Sequence, residues 1–501
     1  MRRLISLAAS TLLGALAAGC AVGPDYQRPT LDAPAHFNQQ AALSARDTDA
    51  SATSARWWQR FDDPVLTSLV AKALADNLDL AQVVAKVSQS RAMLGAATAA
   101  LLPAGELSGQ SVRFHQSLRS QLGQILDASS PDFDRNGSYN ELNLGASWEL
   151  DLFGGRRRAR EAAMAELQAA EAGADVARLS VAAQVADTYL LVRGLQQRLA
   201  IAQEQIATTE RLVGLIQRQF DAGVAAELQL RQAEGALSQI AASVPVLEAG
   251  LEVAMNALDV ALGSQPGSHR ALLTPVAPVP AAPAIADIGG PADLLRRRPD
   301  LVLAERRLAA ANARIGVAIA EYYPKFSLSG LIGTATTGSS ALFTGNANQA
   351  IAVLGLRWRL FDFGRIDAAI KASRGQQAEA LAAYRLAALH ASEDVENALV
   401  SLLRREAQLR TLTTGEVALT RAQSAARAAF EGGVVSLIEV LDADGRLLAQ
   451  RDAMAVAQLE ASRAAVASFK ALGGGWNPER SLAARMSYTL SYLPPAGPAR
   501  E

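Results

Sequence analysis

The stretch Glu141-Leu142-Asn143-Leu144-Gly145-Ala146-Ser147-Trp148-Glu149-Leu150-Asp151-Leu152, followed at once by Phe153-Gly154-Gly155-Arg156, decides the fold. Leu142, Leu144, Ala146, Trp148, Leu150 and Leu152 alternate with Glu141, Asn143, Gly145, Ser147, Glu149 and Asp151. A period of two places the first set on one face of a strand and the second on the other. After the glycines the pattern changes. From Arg156 to Phe220 there is no proline, and Ala, Leu, Gln, Glu and Arg, all strong helix formers, dominate. At 1.5 Å per residue such a helix is roughly 95 Å long, far beyond the usual three or four turns. It breaks at Asp221-Ala222-Gly223, and a return helix is predicted from Val224 to Leu262.

The whole unit occurs twice. Trp148-Glu149-Leu150-Asp151-Leu152-Phe153-Gly154 matches Trp358-Arg359-Leu360-Phe361-Asp362-Phe363-Gly364, and Phe220-Asp221-Ala222-Gly223-Val224 matches Phe430-Glu431-Gly432-Gly433-Val434. Both matches are shifts of 210, so strand end and helix break keep one spacing. An internal duplication of this size organises the chain.

Working outward, residues 1–19 read as an export signal: Arg2 and Arg3 precede an apolar run from Leu4 to Ala18. Leu16-Ala17-Ala18-Gly19-Cys20 reads as a lipobox whose cysteine becomes lipidated, although its leucine stands four residues before the cysteine, not three. An incidental cysteine beside a cleavage site is the plainer alternative. Cys20 is the one cysteine, so no intramolecular disulfide can form. Ala21 is not the aspartate that favours inner-membrane retention, so an outer-membrane destination follows by analogy with bacterial lipoproteins. Residues 20–63 form an N-terminal arm ending in Trp57, Trp58, Phe61 and Asp63, with the tryptophans read as packing at a helix base. A helix is predicted from Pro64, with Asp63 as its N-cap, to about Leu101.

The first repeat spans 64–263. Pro103 ends its first helix, Gly105, Leu107 and Gly109 open a strand, and Ser117 to Gly137 reads as a loop. Residues 264–290 form a linker with prolines at 266, 275, 278, 280 and 283. The second repeat spans 291–476, with Arg297-Arg298-Pro299-Asp300, a helix from Val302 to Glu321, and Pro324 mirroring Pro103. Its strands place Phe326, Leu328, Gly330 and Ile332, then Ala352, Leu354, Leu356, Trp358 and Leu360, on apolar faces. Residues 477–501 form a C-terminal tail.

Near-neutral charge, with 48 basic and 49 acidic residues, gives no support to nucleic-acid binding. His36, His115, His269 and His390 have no metal-ligand spacing, and no phosphate loop or nucleophile elbow occurs, so no enzyme, metal or cofactor is expected beyond the lipid on Cys20. Four strands with one apolar and one polar face cannot close alone, because the smallest outer-membrane barrels need about eight. Burying the edges requires several chains, and three would give 12 strands. Glu141, Glu149, Asp151, Arg357 and Arg359 lie on the polar faces, costly in lipid but suited to a water-filled lumen. Trp148 and Trp358 stand where interfacial aromatics belong. The long helices carry recurrent charges such as Arg178, Asp187, Arg193, Glu204 and Arg211, so they suit an aqueous compartment, and their alanines suit close side-by-side packing. A barrel in lipid continued by a helical tube is a conduit.

Cys20-Ala21-Val22-Gly23-Pro24-Asp25-Tyr26, Trp57-Trp58 with Phe61 and Asp63-Pro64, Arg297-Arg298-Pro299-Asp300 and the Gly-Gly-Trp ending at Trp476 resemble the TolC-like outer-membrane efflux lipoproteins of the NodT type. The resemblance covers about residues 20–476. It implies a mainly α protein with a membrane β-barrel: a homotrimer whose duplicated strand–strand–long-helix repeat forms a 12-stranded barrel, continuous with a 12-helix periplasmic tunnel. It further implies a periplasmic membrane-fusion adaptor and an inner-membrane proton-driven pump as partners. By the family pattern, Gly223, Val224, Gly433 and Val434 are adaptor-docking tips, although Gly223 and Gly433 also read simply as helix C-caps. Ile438 and Asp442 fall where the family places a hydrophobic and an acidic ring at the periplasmic gate. Three symmetry-related Asp442 carboxylates would raise one another's pKa and attract cations; an ordinary exposed helical aspartate is the plainer reading. The first copy has Arg231 and Gln232 in the matching region. The expected function is passive conduction of small toxic molecules to the exterior, opened by partner docking. An exit duct for type I protein secretion shares this architecture, and a non-conducting coiled-coil scaffold is the third reading.

Overall fold

The computed structural model describes residues 21–31, 34–44, 56–130, 132, 134–285, 288, 290–337 and 341–474. The expected signal, the lipidation site Cys20, Trp476 and the tail lie outside the described residues. In chain order the first-repeat elements are α1 (Pro64–Asp76), α2 (Leu78–Ala99), β1 (Ala104–His115), α3 (Gln121–Ser129), β2 (Asn136–Glu149), α4 (Gly155–Asp221), α5 (Glu227–Ala241) and α6 (Val244–Ala261). The second repeat gives α7 (Pro291–Arg297), α8 (Pro299–Ala320), β3 (Lys325–Thr336), β4 (Asn348–Arg357), α9 (Arg365–Glu431) and α10 (Leu437–Ala471). Helices α4 and α9 are each 67 residues long. Two compact units result, and each draws on both repeats: Met1–Pro29, Gln89–Ala169 and Glu305–Ala383 form one, and Thr30–Ser88, Ala170–Ala304 and Tyr384–Glu501 the other.

The first unit holds one four-stranded antiparallel sheet in the order β1-β2-β3-β4, so β1 and β4 are edges. Leu107 pairs with Leu144, Leu144 with Ile332, and Leu328 with both Trp148 and Leu354. Residues directly opposite share a face, which gathers Leu107, Leu144, Trp148, Leu328, Ile332, Leu354 and Leu356 on one side, all exposed. The other side carries Glu106, Ser108, Gln110, Glu141, Asn143, Ser147, Glu149, Ser327, Ser329 and Arg357, with Val112, Phe114, Leu331, Ile351 and Val353 as apolar exceptions. Each repeat ties its second strand to the end of its first helix in the same way. The Trp148 indole donates to the Leu101 carbonyl at 2.8 Å, and that of Trp358 to Tyr322 at 3.0 Å.

Several expected boundaries move, each for a local reason. Strand β2 ends at Glu149, not Leu152, because Asp151 turns the chain with φ +45° and accepts N–H bonds from Arg156 and Arg157, both at 2.9 Å. Strand β4 ends at Arg357, so Arg359, Trp358 and Leu360 lie beyond it. The loop expected between the first two strands contains α3, capped by Ser120 onto the Gly123 N–H. The predicted helix 64–101 is two helices. Asn77 between them is extended, buried, and accepts from the Leu80 N–H at 2.9 Å, an N-cap that starts α2 anew. The return helix also divides at Ala242-Ser243, ahead of Pro245, which cannot donate a backbone bond. By length and composition Glu227–Ala261 is apolar enough to cross a membrane, a property the charged residues of α4 and α9 deny those helices. Helix α8 starts at Pro299, three residues earlier than expected.

The second unit contains the largest core. Trp57 is fully buried, stacked on Phe469 with centroids 5.4 Å apart and set edge-on to Trp58, which supports the packing reading of both tryptophans. Asp63 caps α1 as the sequence suggests. The proline-rich 264–290 segment is strapped down. Leu273, Val279, Ile285 and Ile288 are buried, and its carbonyls accept from Arg193, Gln196, Gln458, Ser462 and Arg60. A connector with prolines loses donors, and side chains of the helices supply them to its carbonyls instead.

Candidate functional site

The helix tips are built alike. Gly223 and Gly433 take φ +73° and +72°, the left-handed conformation that ends a helix without a Cβ penalty. The N–H of Val224 bonds to the Gln219 carbonyl and that of Val434 to Ala429, both at 2.8 Å, while each glycine N–H bonds to Phe220 or Phe430. The resulting turns push Val224 and Val434 outward, 78% and 79% exposed. Beneath them Ile216, Leu230, Ala233 and Leu437 are buried in one cluster, flanked by Phe220 and Phe430. The two tips therefore share a core and form one platform with two protruding valines.

One turn inside, Ile438 is 58% exposed, and its twin Leu228 in the first copy is 65% exposed. Sequence reading passed over Leu228; the shift of 210 was the signal that finds it. Asp442 is exposed and ion-paired with Arg446 at 2.9 Å along its own helix. Sequence reading also missed Asp444. Its side chain is nearly buried and accepts from Arg427 at 2.9 Å and Gln423 at 2.9 Å on α9. The available signal was its place in the Val440, Asp444, Leu447 stripe, since a carboxylate at a core position needs a charged partner. Asp444 thus ties α10 to α9 just behind the tip.

On the sheet, Glu141 accepts from the Tyr139 hydroxyl at 2.8 Å and Asn143 at 3.2 Å. Glu149 is paired with Arg156 at 2.9 Å. Asp151, expected on the polar face, serves instead as the helix cap described above and lies 3.5 Å from the Arg157 guanidinium. Arg357 closes β4 opposite Lys325. Arg359, also expected on the strand, lies past its end, 3.6 Å from Glu321, which in turn pairs with Lys325.

The residues following Cys20 are pinned to the same unit. The Val22 N–H donates to the Phe153 carbonyl at 3.1 Å. Arg158, almost fully buried, donates to the carbonyls of Val22 and Gly23 and pairs with Asp25 at 2.7 Å. Gly23 has φ +92°, and a Cβ there would stand 2.5 Å from the Gly316 Cα, so only glycine fits the approach.

Each repeat also has a buried joint behind its helices. Asn77 donates to the Ala261 carbonyl at 2.9 Å, and Arg298 donates to the Ala471 carbonyl at 3.0 Å. Both carbonyls belong to helix C-termini that lack intrahelical partners. Arg298 further donates to the Ala391 carbonyl and pairs with Asp300 and Asp394, which give a physical role to Arg298-Pro299-Asp300. Those two carboxylates hold its guanidinium above its ordinary pKa despite the burial that opposes them.

Comparison with known proteins places this geometry. A family model described as outer membrane efflux protein matches residues 69–264 and 290–474. Nodulation protein T of Rhizobium leguminosarum bv. trifolii is 30% identical, covering 92% of this chain and 96% of that protein. The pyoverdine export outer membrane protein OpmQ of Pseudomonas putida is 33% identical, covering 85% and 89%. The solved outer-membrane channel OprN superposes with a TM-score of 0.83 at 33% identity, over 92% of this chain and all of that one. Long helices joined to an amphipathic sheet, a duplicated repeat and a match over most of the chain lead to one conclusion: the protein belongs to the outer membrane efflux protein family and is an outer-membrane efflux channel that extends into the periplasm.

Proposed function

We propose that this protein is the exit duct of a tripartite efflux system, in which three copies close a 12-stranded barrel and continue it as a 12-helix tunnel. The observation that carries the reading is the sheet itself. It has two free edges, an exposed apolar face suited to lipid and a polar face bearing Glu106, Glu141, Glu149 and Arg357 suited to water. The valine tips offer paired apolar knobs to the hairpin of a periplasmic adaptor, and an inner-membrane pump supplies the energy. Ile438 with Leu228 narrows the periplasmic end, Asp442 adds charge there, and Asp444 with Arg427 holds it closed. The clamp of Val22, Gly23 and Asp25 on Arg158 supports a lipid anchor on Cys20, because it holds the residues that follow the cysteine to the strand-to-helix turn. No bound group beyond that lipid is required.

Single-channel recording of the purified assembly in planar bilayers tests this directly. A small resting conductance that rises in Asp444→Ala, and a cation sensitivity that falls in Asp442→Ala, is the expected result. An inserted assembly that conducts in no variant would leave the scaffold reading in its place.

A further inference from the structure

The two repeats do not pack their long helices equally well. In the second repeat the Gln450 side chain of α10 lies over Gly415 of α9, where a Cβ would stand 2.5 Å from its amide nitrogen. That amide donates to the Leu412 carbonyl at 2.7 Å and fills the space between the two helices. The shift of 210 turns Gln450 into Ile240, Gly415 into Gln205, Leu412 into Ala202 and Leu419 into Thr209. Ile240 cannot make the same bond, and the return helix breaks just after it, at Ala242-Ser243. A cleft of about 690 Å³ lies there in the first repeat, with α4 as its floor and α5–α6 and α10 as its walls. All of its lining residues belong to one copy, so it does not depend on the assembly proposed above.

We propose that this cleft binds an uncharged, mostly apolar molecule of drug size that carries a carbonyl or hydroxyl group. Its volume lies in the range of small-molecule sites, and its walls are largely apolar, with Ile240, Val246, Leu441 and Leu448 among their residues. At the floor Gln205 and Thr209 are 8% and 2% exposed, yet among the described residues neither side chain has a hydrogen-bond partner. Both line the cleft, so a buried amide and a buried hydroxyl are open to whatever enters it. Polar groups that deep are ordinarily satisfied, and a bound carbonyl or hydroxyl supplies what the helices do not. Their twins Gly415 and Leu419 have no polar side chain, so the second repeat offers no such floor. The charges around the cleft favour a neutral ligand. Arg198 is bound to both oxygens of Asp452, at 2.6 and 3.1 Å, and Asp444 is held by Arg427. Each charge is answered by its partner, and no other lining residue is charged, so nothing selects an ion. Seated there, the molecule touches α4, α5–α6 and α10 at once and ties α10 down behind the tip.

Photolabelling with benzophenone tests the site, because this neutral ketone couples to neighbouring C–H bonds when irradiated. Peptide mapping of the membrane-inserted protein should find saturable labelling in residues 198–209 and none in the twin segment 408–419. Gly445→Leu directs a side chain into the cleft, where an added Cβ meets nothing within 4 Å, and should abolish the labelling without loss of fold. Ala202→Leu, which installs the second repeat's residue, should do the same from the floor. Gln205→Leu with Thr209→Val should raise the half-saturating concentration roughly tenfold, the loss of about one net hydrogen bond. Saturation should also slow amide exchange in the first turns of α10. Equal labelling of 198–209 and 408–419, labelling that never saturates, or no labelling of 198–209 in the folded protein would each overturn the site. So would labelling that survives Gly445→Leu in a variant of unchanged thermal stability. Unchanged exchange at saturation would overturn the tie to α10.

Discussion

The two copies of the repeat share a frame and differ in where they place buried charge. Helix α10 and the pair α5–α6 begin and end at positions separated by 210, yet α10 runs unbroken for 35 residues while its twin divides before Pro245. At the joint behind the helices, the first copy uses the neutral Asn77 and the second the charged Arg298. Behind the tip, the second copy has the buried Asp444 held by Arg427, and the first has the half-buried Glu234 paired with Arg231. In the body of the long helices the order reverses: Tyr189 and Arg193 of the first copy correspond to Leu399 and Leu403 of the second. Tyr189 donates to Asp63 at 2.6 Å, and Arg193 holds the strap carbonyls. The shared positions are those that geometry requires. The divergent ones are those where a helix makes a contact its twin position does not: Tyr189 and Arg193 hold Asp63 and the strap carbonyls of Leu273 and Pro275, and Asp444 holds Arg427 behind the tip.

The largest contrast is expected at the joints. Arg298→Ala leaves the C-terminal Ala471 carbonyl unsatisfied, removes a second bond to the Ala391 carbonyl and leaves two carboxylates without their cation, at a cost of about 3 kcal/mol, discounted because Asp300 and Asp394 are partly solvated. Asn77→Ala should cost about 2 kcal/mol, the loss of a cap and one buried bond. Thermal unfolding in detergent would rank them, and an equal or reversed order would break the contrast. Next comes the tip. Asp444→Ala should loosen α10 from α9 by about 2 kcal/mol and speed amide exchange in the first turns of α10. Glu234→Ala, its twin, should leave exchange in α5 unchanged.

The body of the first copy gives a pH signature. Burial first, and the Asp63 hydrogen bond second, push the Tyr189 phenol from 10.0 up to about 12. An acid whose folded pKa is raised stabilises fully below its unfolded pKa and loses that contribution as pH climbs through the folded value. Wild type should therefore lose stability between pH 10 and about 12 by this route. Tyr189→Phe should lower stability at neutral pH by about 1 kcal/mol and flatten the alkaline slope. A slope unchanged in the variant would assign the alkaline loss to other groups. The smallest effect belongs to Pro245→Ala, which restores one helical N–H and should raise helicity slightly by circular dichroism while shifting stability by less than about 1 kcal/mol.

Much of the frame was legible in the sequence because it rests on periodicity. Alternation set the strands, the proline-free run set α4, and the glycines at 223 and 433 set the tips. What escaped was decided by single side chains acting locally or across helices. Asp151 reads as the next polar residue of a strand, but its carboxylate finds the free N–H groups of α4 and ends the strand instead. Asn77 reads as one polar residue in a helix, yet its side chain outcompetes the backbone and starts a second helix. Asp444 looked no different from Asp442 until the packing of α10 on α9 buried one and exposed the other. The strap looked like a linker because its partners, Arg193, Gln458 and Ser462, are distant in sequence. Local pattern finds elements, while the contacts that cap, split and pin them need the fold.

The central claim is that the polar face of the sheet surrounds water and the apolar face meets lipid. Cysteine substitutions along β2, at Ala146 and Leu144 on one face and at Ser147 and Glu141 on the other, can be probed in outer-membrane vesicles with a water-soluble thiol reagent. A water-filled pore requires labelling at 141 and 147 and protection at 144 and 146. Equal labelling on both faces, or protection of the polar positions, would contradict it.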